Sequence, residues 1–219
     1  MPRMHHQCLV ASHNGIEYIY LLGGMGMLST GIESRFGVKY FNDVWRSVDG
    51  ITWNRVTTND YGIRSEHAAV AMPNGKILVQ GGHNGIIFEP APGTTHPIYD
   101  WQFLWTSTDG ENWTKERDIA MVEDRNLWRS GHEMVYYKDR VWTLPGKTTS
   151  NNHYGFTTDN HYSTWTYDDN SNWAMDSDGV AIDARHSYAS VIFKDKIWVI
   201  GGFTNKGGQA SDIWTGELN

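Results

Sequence analysis

Four arginines occupy matching places in the chain and are the residues best suited to bind an anion: Arg3, Arg64, Arg129 and Arg185. A guanidinium group binds a carboxylate or phosphate through two parallel hydrogen bonds. A ring of such groups therefore predicts a site for an acidic ligand. The alternative is structural, with each arginine bridging neighbouring elements of the fold.

Three histidines follow three of these arginines at one repeated position: His6, His67 and His132. Imidazoles that converge in this way could hold a metal ion. A repeated motif also copies a residue regardless of its chemistry, so we predict no metal and no cofactor and keep these histidines as the alternative. The single cysteine, Cys8, excludes an internal disulfide and a cysteine-cluster zinc site.

Two sets of tryptophans recur at equal intervals, Trp45, Trp105 and Trp165, and then Trp53, Trp113 and Trp173. Trp214 begins a fourth copy. Short apolar runs precede glycine pairs at 23–24, 81–82 and 201–202, and Pro145-Gly146 takes this place in the third copy. Such runs, bounded by turns, are typical of buried strands. We expect Trp45, Trp105, Trp165 and Trp214 at equivalent positions between neighbouring repeats.

A complete repeat therefore contains four predicted strands, and the repeats span approximately 3–58, 59–118, 125–178 and 183–219, the fourth being incomplete. Four strands in a period of about 50 residues are typical of propeller blades. The fourth repeat ends before its outer strand. We predict an all-β fold with one domain over 1–219.

The ordered set of motifs resembles the kelch repeat: Arg-x-x-His, an apolar strand ending in Gly-Gly, Asp-Val-Trp, and a second tryptophan. The resemblance implies a β-propeller of four four-stranded blades, the last without its outer strand, whose first strands line a central channel. Pro145 and Tyr188 depart from the pattern. The chain could form a four-bladed ring, part of a ring completed by another copy, or a fragment of a longer protein.

The long connections after the second strands, at 25–42, 83–102, 147–162 and 203–211, all leave one face of a blade. Long connections in a compact fold are commonly functional. In kelch proteins that bind acidic peptides, residues after the glycine pair form the site, and the resemblance adds His83, Asn84 and Lys147. The complete set of candidate ligand-binding residues is Arg64, Arg129, Arg185, His83, Asn84, Trp101, Lys147 and Tyr154.

We therefore expect a non-catalytic binding module that presents this aromatic-rich face to a glycan or a protein segment, including an acidic one. The alternative is an enzyme at the channel mouth, either sugar-processing or a metal-dependent oxidase of the galactose oxidase type. A net charge of −7 argues against nucleic acid as a partner. No signal peptide or membrane-spanning run is visible, so the compartment stays open. Self-association through the last blade is a further expectation.

Overall fold

Every regular element in the described part of the chain is a β-strand, which confirms the predicted all-β class. A computed structural model describes residues 2–27, 37–56, 61–83, 103–118, 129–152, 155–161, 164–167, 173–177, 184–204 and 208–217. Within these ranges no helix has the length and apolar character needed to cross a membrane.

The strands are short and follow one another closely along the chain. In chain order they are β1 (Gln7–His13), β2 (Ile16–Leu22), β3 (Met25–Met27), β4 (Val38–Tyr40), β5 (Val44–Ser47), β6 (Asn54–Val56), β7 (Ala68–Ala71), β8 (Ile77–Gln80), β9 (Phe103–Ser107), β10 (Thr114–Asp118), β11 (Met134–Tyr137), β12 (Arg140–Thr143), β13 (Gly146–Asn152), β14 (Gly155–His161), β15 (Thr164–Tyr167), β16 (Trp173–Ser177), β17 (Arg185–His186), β18 (Ala189–Phe193), β19 (Lys196–Ile200), β20 (Phe203–Thr204), β21 (Gly208–Gln209) and β22 (Ile213–Gly216).

Four antiparallel sheets carry the repeats, one to a repeat. Sheet 1 has the strand order β1-β2-β5-β6, sheet 2 has β7-β8-β9-β10, and sheet 3 has β11-β12-β15-β16. Sheet 4 has three strands within the described residues, β18-β19-β22. The four apolar runs before the glycine positions form the second strand of each sheet, as the sequence predicts.

Three of the predicted long connections contain β-ribbons instead of being plain loops. β3 pairs with β4, β20 pairs with β21, and β13 pairs with β14 over seven residue pairs. The predicted loop at 147–162 is therefore wrong in its backbone form. Its Thr, Ser and Asn residues give no alternation of apolar and polar positions, so nothing in the pattern indicates a strand.

The chain divides into two compact units, Met1–Trp128 with sheets 1 and 2, and Arg129–Asn219 with sheets 3 and 4. Within each unit two sheets pack face to face through a buried apolar cluster. We call the faces of sheets 1 and 3 that pack on the next sheet of the same unit, and the equivalent faces of sheets 2 and 4, forward faces, and we call the opposite faces rear faces.

In unit 1 the forward face of sheet 1 packs on the rear face of sheet 2. Tyr20 is fully buried at this contact. His13 Nε2 lies 2.8 Å from the Gly75 carbonyl oxygen, and its Nδ1 lies 2.7 Å from the Tyr20 hydroxyl. Because a carbonyl can only accept, Nε2 carries the proton and Nδ1 accepts from Tyr20. At the edge of the contact, Arg46 pairs with Glu111 at 2.7 Å.

In unit 2 sheet 3 packs on sheet 4 in the same manner. Trp142 is 1% exposed and belongs to the buried cluster between the two sheets. The Tyr137 hydroxyl donates to the Asp195 carbonyl at 2.9 Å. Trp105 and Trp214 pack against the cluster of unit 1 and of unit 2 respectively, which confirms their predicted equivalence.

The turns between the third and fourth strands of sheets 1 and 2 share one hydrogen-bond pattern. Asp49 Oδ1 accepts from the amides of Ile51 and Thr52 at 2.8 and 2.7 Å. Asp109 Oδ1 accepts at 2.7 Å from each of the two equivalent amides. The bonds from the Thr52 and Ile51 amides lower the pKa of Asp49 to about 2. Both turns need the positive φ of the glycine that follows the aspartate, 73° at Gly50 and 72° at Gly110.

We expect Gly110→Ala to destabilise the protein more than Gly50→Ala does. A Cβ on Gly110 would lie 2.5 Å from Cε1 of Tyr20, whereas a Cβ on Gly50 would meet Ile19 Cδ1 at 3.7 Å. The φ penalty is common to both and is about 1–2 kcal/mol, and overpacking at Gly110 adds about 1–3 kcal/mol. Urea denaturation measures both free energies of unfolding, and equal losses would contradict the packing of Tyr20 on this turn.

Candidate functional site

In each repeat the residue after the arginine pairs with the residue after the glycine position, outside the four sheets described above. We call these residues the rim pairs, and they are Met4–Met25, Ser65–His83, Ser130–Lys147 and His186–Phe203. In the first three, both backbone amides donate to the partner's carbonyl at 2.8–3.0 Å. The residue next to each predicted arginine and the predicted position after the glycine pair therefore meet within each repeat.

The second glycine of each pair permits this meeting. A Cβ on Gly24, Gly82, Gly146 or Gly202 would lie 2.5–2.8 Å from the segment that follows the arginine of the same sheet. The atoms met first are backbone oxygens or the Cβ of His6 or His132. Real side chains do not make contacts this close, so the site requires glycine here.

One residue beyond each rim pair the backbone adopts a positive φ, with values of 54° at His5, 54° at Glu66, 60° at Gly131 and 55° at Ser187. This shared geometry links the sheets within each unit. The Glu66 amide donates to the His5 carbonyl at 3.1 Å, and the Ser187 amide donates to the Gly131 carbonyl at 2.6 Å. A positive φ at a single non-glycine residue would indicate a functional site. Here the positive φ recurs at the same position of every repeat, which indicates a feature of the fold.

Three of the repeated arginines are buried, with Arg64 0%, Arg129 2% and Arg185 0% exposed. Arg64 donates to the carbonyls of Tyr61 and Gly81 at 2.6 and 3.3 Å. Arg129 donates to the Leu144 carbonyl at 3.0 Å.

In sheets 1 and 4 the arginine also holds a carboxylate through two bonds. Arg3 binds Asp43 at 2.7 and 3.0 Å, and Arg185 binds Asp212 at the same two distances. The bonds from Arg185 and Trp214 lower the pKa of Asp212. Ligand binding by the arginines stays a prediction, and these internal partners favour the structural alternative.

His83 lies in a polar cluster on the rim of unit 1. Its Nε2 is 3.5 Å from Glu66 Oε2, and its ring meets the Tyr40 ring edge-on at a centroid distance of 5.9 Å. The His83 side chain is 37% exposed, whereas that of Glu66 is 11% exposed. Burial, and then the Glu66 carboxylate, raise the pKa of Tyr40. The cluster offers a ligand an imidazole, a phenol and a carboxylate.

The rim of unit 2 carries a stacked pair of rings. The rings of His186 and Phe203 are 5.5 Å apart and 15° from parallel. Phe203 is 42% exposed, and His186 Nδ1 lies 3.0 Å from Ser187 Oγ. Lys147 is half-buried on the same rim. These groups offer a flat apolar surface with polar groups beside it.

Glu66 and Phe203 are not among the candidate ligand-binding residues predicted from the sequence. Phe203 follows a glycine pair as His83 does, so the rule that selected His83 would also have found it. Glu66 stands out in the sequence as an acidic residue at the start of a first strand, but its contact with His83 is not predictable from the spacing. Three other candidates, Asn84, Trp101 and Tyr154, lie outside the described residues.

The repeated histidines have a packing role within their own sheets. The Cβ atoms of His6, His67 and His132 lie against the second glycine, as the Cβ of Tyr188 does in sheet 4. His67 and His132 are 0% and 1% exposed. Among the described residues, no group of three or more metal-ligating side chains exists.

The two departures from the repeat pattern contact each other. The Tyr188 hydroxyl donates to the Pro145 carbonyl at 2.5 Å. In unit 1 the equivalent residues are Gly23 and His67, and a Cβ on Gly23 would lie 3.1 Å from His67 Cε1. In unit 2 Tyr188 thus takes the place of the smaller histidine and Pro145 takes the place of the first glycine, and the two residues still contact each other.

The chain matches no model of a known protein family, and no curated protein matches it.

We expect His67 to make the fold sensitive to acid. Burial, and then the charge of Arg64, hold the pKa of His67 well below 6.5. Below pH 6.5 the unfolded chain binds a proton here that the folded chain does not, so the free energy of unfolding falls as the pH drops, by at most about 1.4 kcal/mol per pH unit.

His67→Gln should flatten this dependence between pH 6.5 and about 5, where carboxylates remain mostly ionised. Urea denaturation at a series of pH values measures the slope. The exposed Ile63, which does not titrate, provides the control, since Ile63→Gln should keep the wild-type slope. An unchanged slope in His67→Gln would show that this imidazole already binds a proton in the folded state.

Proposed function

We propose that the chain is a non-catalytic binding module whose four sheets are blades of a kelch-like β-propeller, the last without its outer strand. One observation carries the proposal. The rim pairs repeat the same placement in each repeat while their side chains differ: Met–Met, Ser–His, Ser–Lys and His–Phe. A rigid frame with variable residues at one edge is how scaffolds acquire ligand specificity.

A neutral glycan is the ligand that suits the described rim. On the rim of unit 2 the stacked pair of His186 and Phe203 offers an exposed ring surface. On the rim of unit 1, considered by itself, His83 with Glu66 offers hydrogen-bond partners. The guanidiniums of Arg64, Arg129 and Arg185 are buried, and the net charge of the chain is −7. Both features weaken the electrostatic attraction of an anionic ligand. An extended protein segment is the alternative ligand of the same face.

A sugar-processing enzyme is the second candidate, because of the Glu66–His83 pair. A carboxyl of low exposure next to an imidazole has the composition of an acid–base pair. Assays with aryl glycosides detect hydrolysis, and a peroxide assay with simple sugars detects oxidation. If the protein turns over one of these substrates and Glu66→Gln abolishes that activity, the protein is an enzyme and the proposal of a non-catalytic binding module is wrong.

We predict that the protein binds members of a panel of neutral oligosaccharides and that His83→Ala or Phe203→Ala weakens this binding about 10-fold or more. Removing one contact of about 1.4 kcal/mol gives a factor of ten. An oligosaccharide array identifies the probe, and titration calorimetry with that oligosaccharide gives the dissociation constants.

Val48→Ala and Lys138→Ala are the matched controls, since both residues are in or next to turns at the opposite end of their sheets. They should bind as the wild type does. Binding lost in the controls but kept in the rim variants would place the site elsewhere. Binding of Asp- and Glu-rich peptides without any oligosaccharide would make an acidic protein segment the ligand.

A further inference from the structure

The forward face of sheet 4 is apolar and exposed. Val191, Phe193, Ile200 and Ile213 are 48%, 56%, 44% and 62% exposed. Their equivalents on the forward face of sheet 3 include Val135, Tyr137 and Leu144, which are 7%, 3% and 3% exposed because sheet 4 covers them. The repeat thus leaves on sheet 4 the kind of face that sheet 3 buries.

This face already has the side-chain geometry of a covered one. On sheet 3, Trp142 is opposite Val135, and its Nε1 donates to the Tyr137 carbonyl at 2.9 Å. On sheet 4, Trp198 is opposite Val191, and its Nε1 donates to the Phe193 carbonyl at 3.0 Å. The indole is held in the same way, although it is only half-buried.

The rear face of sheet 1 has matching properties. Val10 is 51% exposed there, opposite Ile19, which is half-buried. The residue equivalent to Ile19 on the rear face of sheet 4 is Ile197, which is 6% exposed under sheet 3. Ile51, in the turn of sheet 1, is 85% exposed, and the equivalent turn residue of sheet 2 is Glu111, which binds Arg46 across the contact.

The two exposed faces also carry opposite charges at corresponding ends. Lys196 is opposite Phe193 on the forward face of sheet 4, next to the hairpin turn. Glu17 is opposite Ser12 on the rear face of sheet 1, also next to a hairpin turn. Both charged residues are exposed. A contact that repeats the one inside each unit would bring these ends of the two faces together.

We propose that the forward face of sheet 4 docks on the rear face of sheet 1 in a second copy of the chain. The contact repeats the packing of sheet 1 on sheet 2 and of sheet 3 on sheet 4, with the apolar faces and end charges described above. It joins two different surfaces, so it is heterologous, and such contacts either close a ring or continue as an open assembly. Exposed apolar patches of this kind commonly mark an interface. The proposal is independent of the proposed ligand.

The experiment measures molar mass by sedimentation velocity and by light scattering at protein concentrations from about 1 to 100 μM. The wild type should show a mass above that of the 25.0 kDa chain, rising with concentration. Val191→Glu on sheet 4 and Val10→Glu on sheet 1 each place a charge in the contact, which should raise the dissociation constant about 100-fold or more. Ile63→Glu is the control, because Ile63 is 46% exposed outside both faces. Circular dichroism verifies that all variants fold.

Mixing the two variants gives the decisive result. Each alone should be monomeric, but the mixture should form a one-to-one dimer, because Val10→Glu keeps the sheet 4 face and Val191→Glu keeps the sheet 1 face. A wild type that stays monomeric over the whole range would overturn the proposal. Self-association that Val191→Glu abolishes and Val10→Glu leaves intact would also overturn it, since sheet 4 would then be pairing with itself.

Discussion

The close approach of a glycine to the backbone of its own sheet is the constraint on which the rest of the structure depends. At Gly24, Gly82, Gly146 and Gly202 the missing Cβ lets the start of the first strand lie directly against the end of the second. This approach accompanies the rim pairs and the positive φ of the residue that follows each of them. The bonds from Glu66 to His5 and from Ser187 to Gly131 then join each sheet to its neighbour within a unit.

The repeated arginines keep hydrogen-bond partners even in the repeat whose aspartate is replaced. Arg3 and Arg185 bind the aspartate that precedes the third-strand tryptophan by two residues. Arg64 belongs to a repeat with no aspartate at that place, and it donates to the Tyr61 and Gly81 carbonyls. A buried guanidinium needs partners for its donors, and carbonyl oxygens are among those partners where the repeat lacks the aspartate. Because these partners are internal, the groups that differ between sheets are left at the exposed rim.

Periodicity carried the prediction of the fold further than that of the site. Equal intervals between tryptophans and the runs before the glycines predicted the strands, because burial on both faces imposes the pattern on the sequence. The ribbon β13–β14 was not predictable, since polar residues on both faces leave no period. At the site, connectivity predicted that Arg64 and His83 would lie on one face, but the Glu66–His83 contact and the burial of Arg64 depend on how the chain packs. Spacing along the chain does not encode that packing.

The internal partners of the repeated arginines favour a structural role for them, and we propose that ligand recognition lies with the residues around them. The free energy of unfolding of Arg64→Met, measured by urea denaturation against the exposed control Arg55→Met, tests the structural role most directly. The account predicts a loss of about 2–4 kcal/mol for Arg64→Met, because the buried carbonyls lose charged donors, and a loss within about 0.5 kcal/mol for Arg55→Met. An Arg64→Met protein as stable as the control would contradict the account and return this arginine to the candidate ligand site.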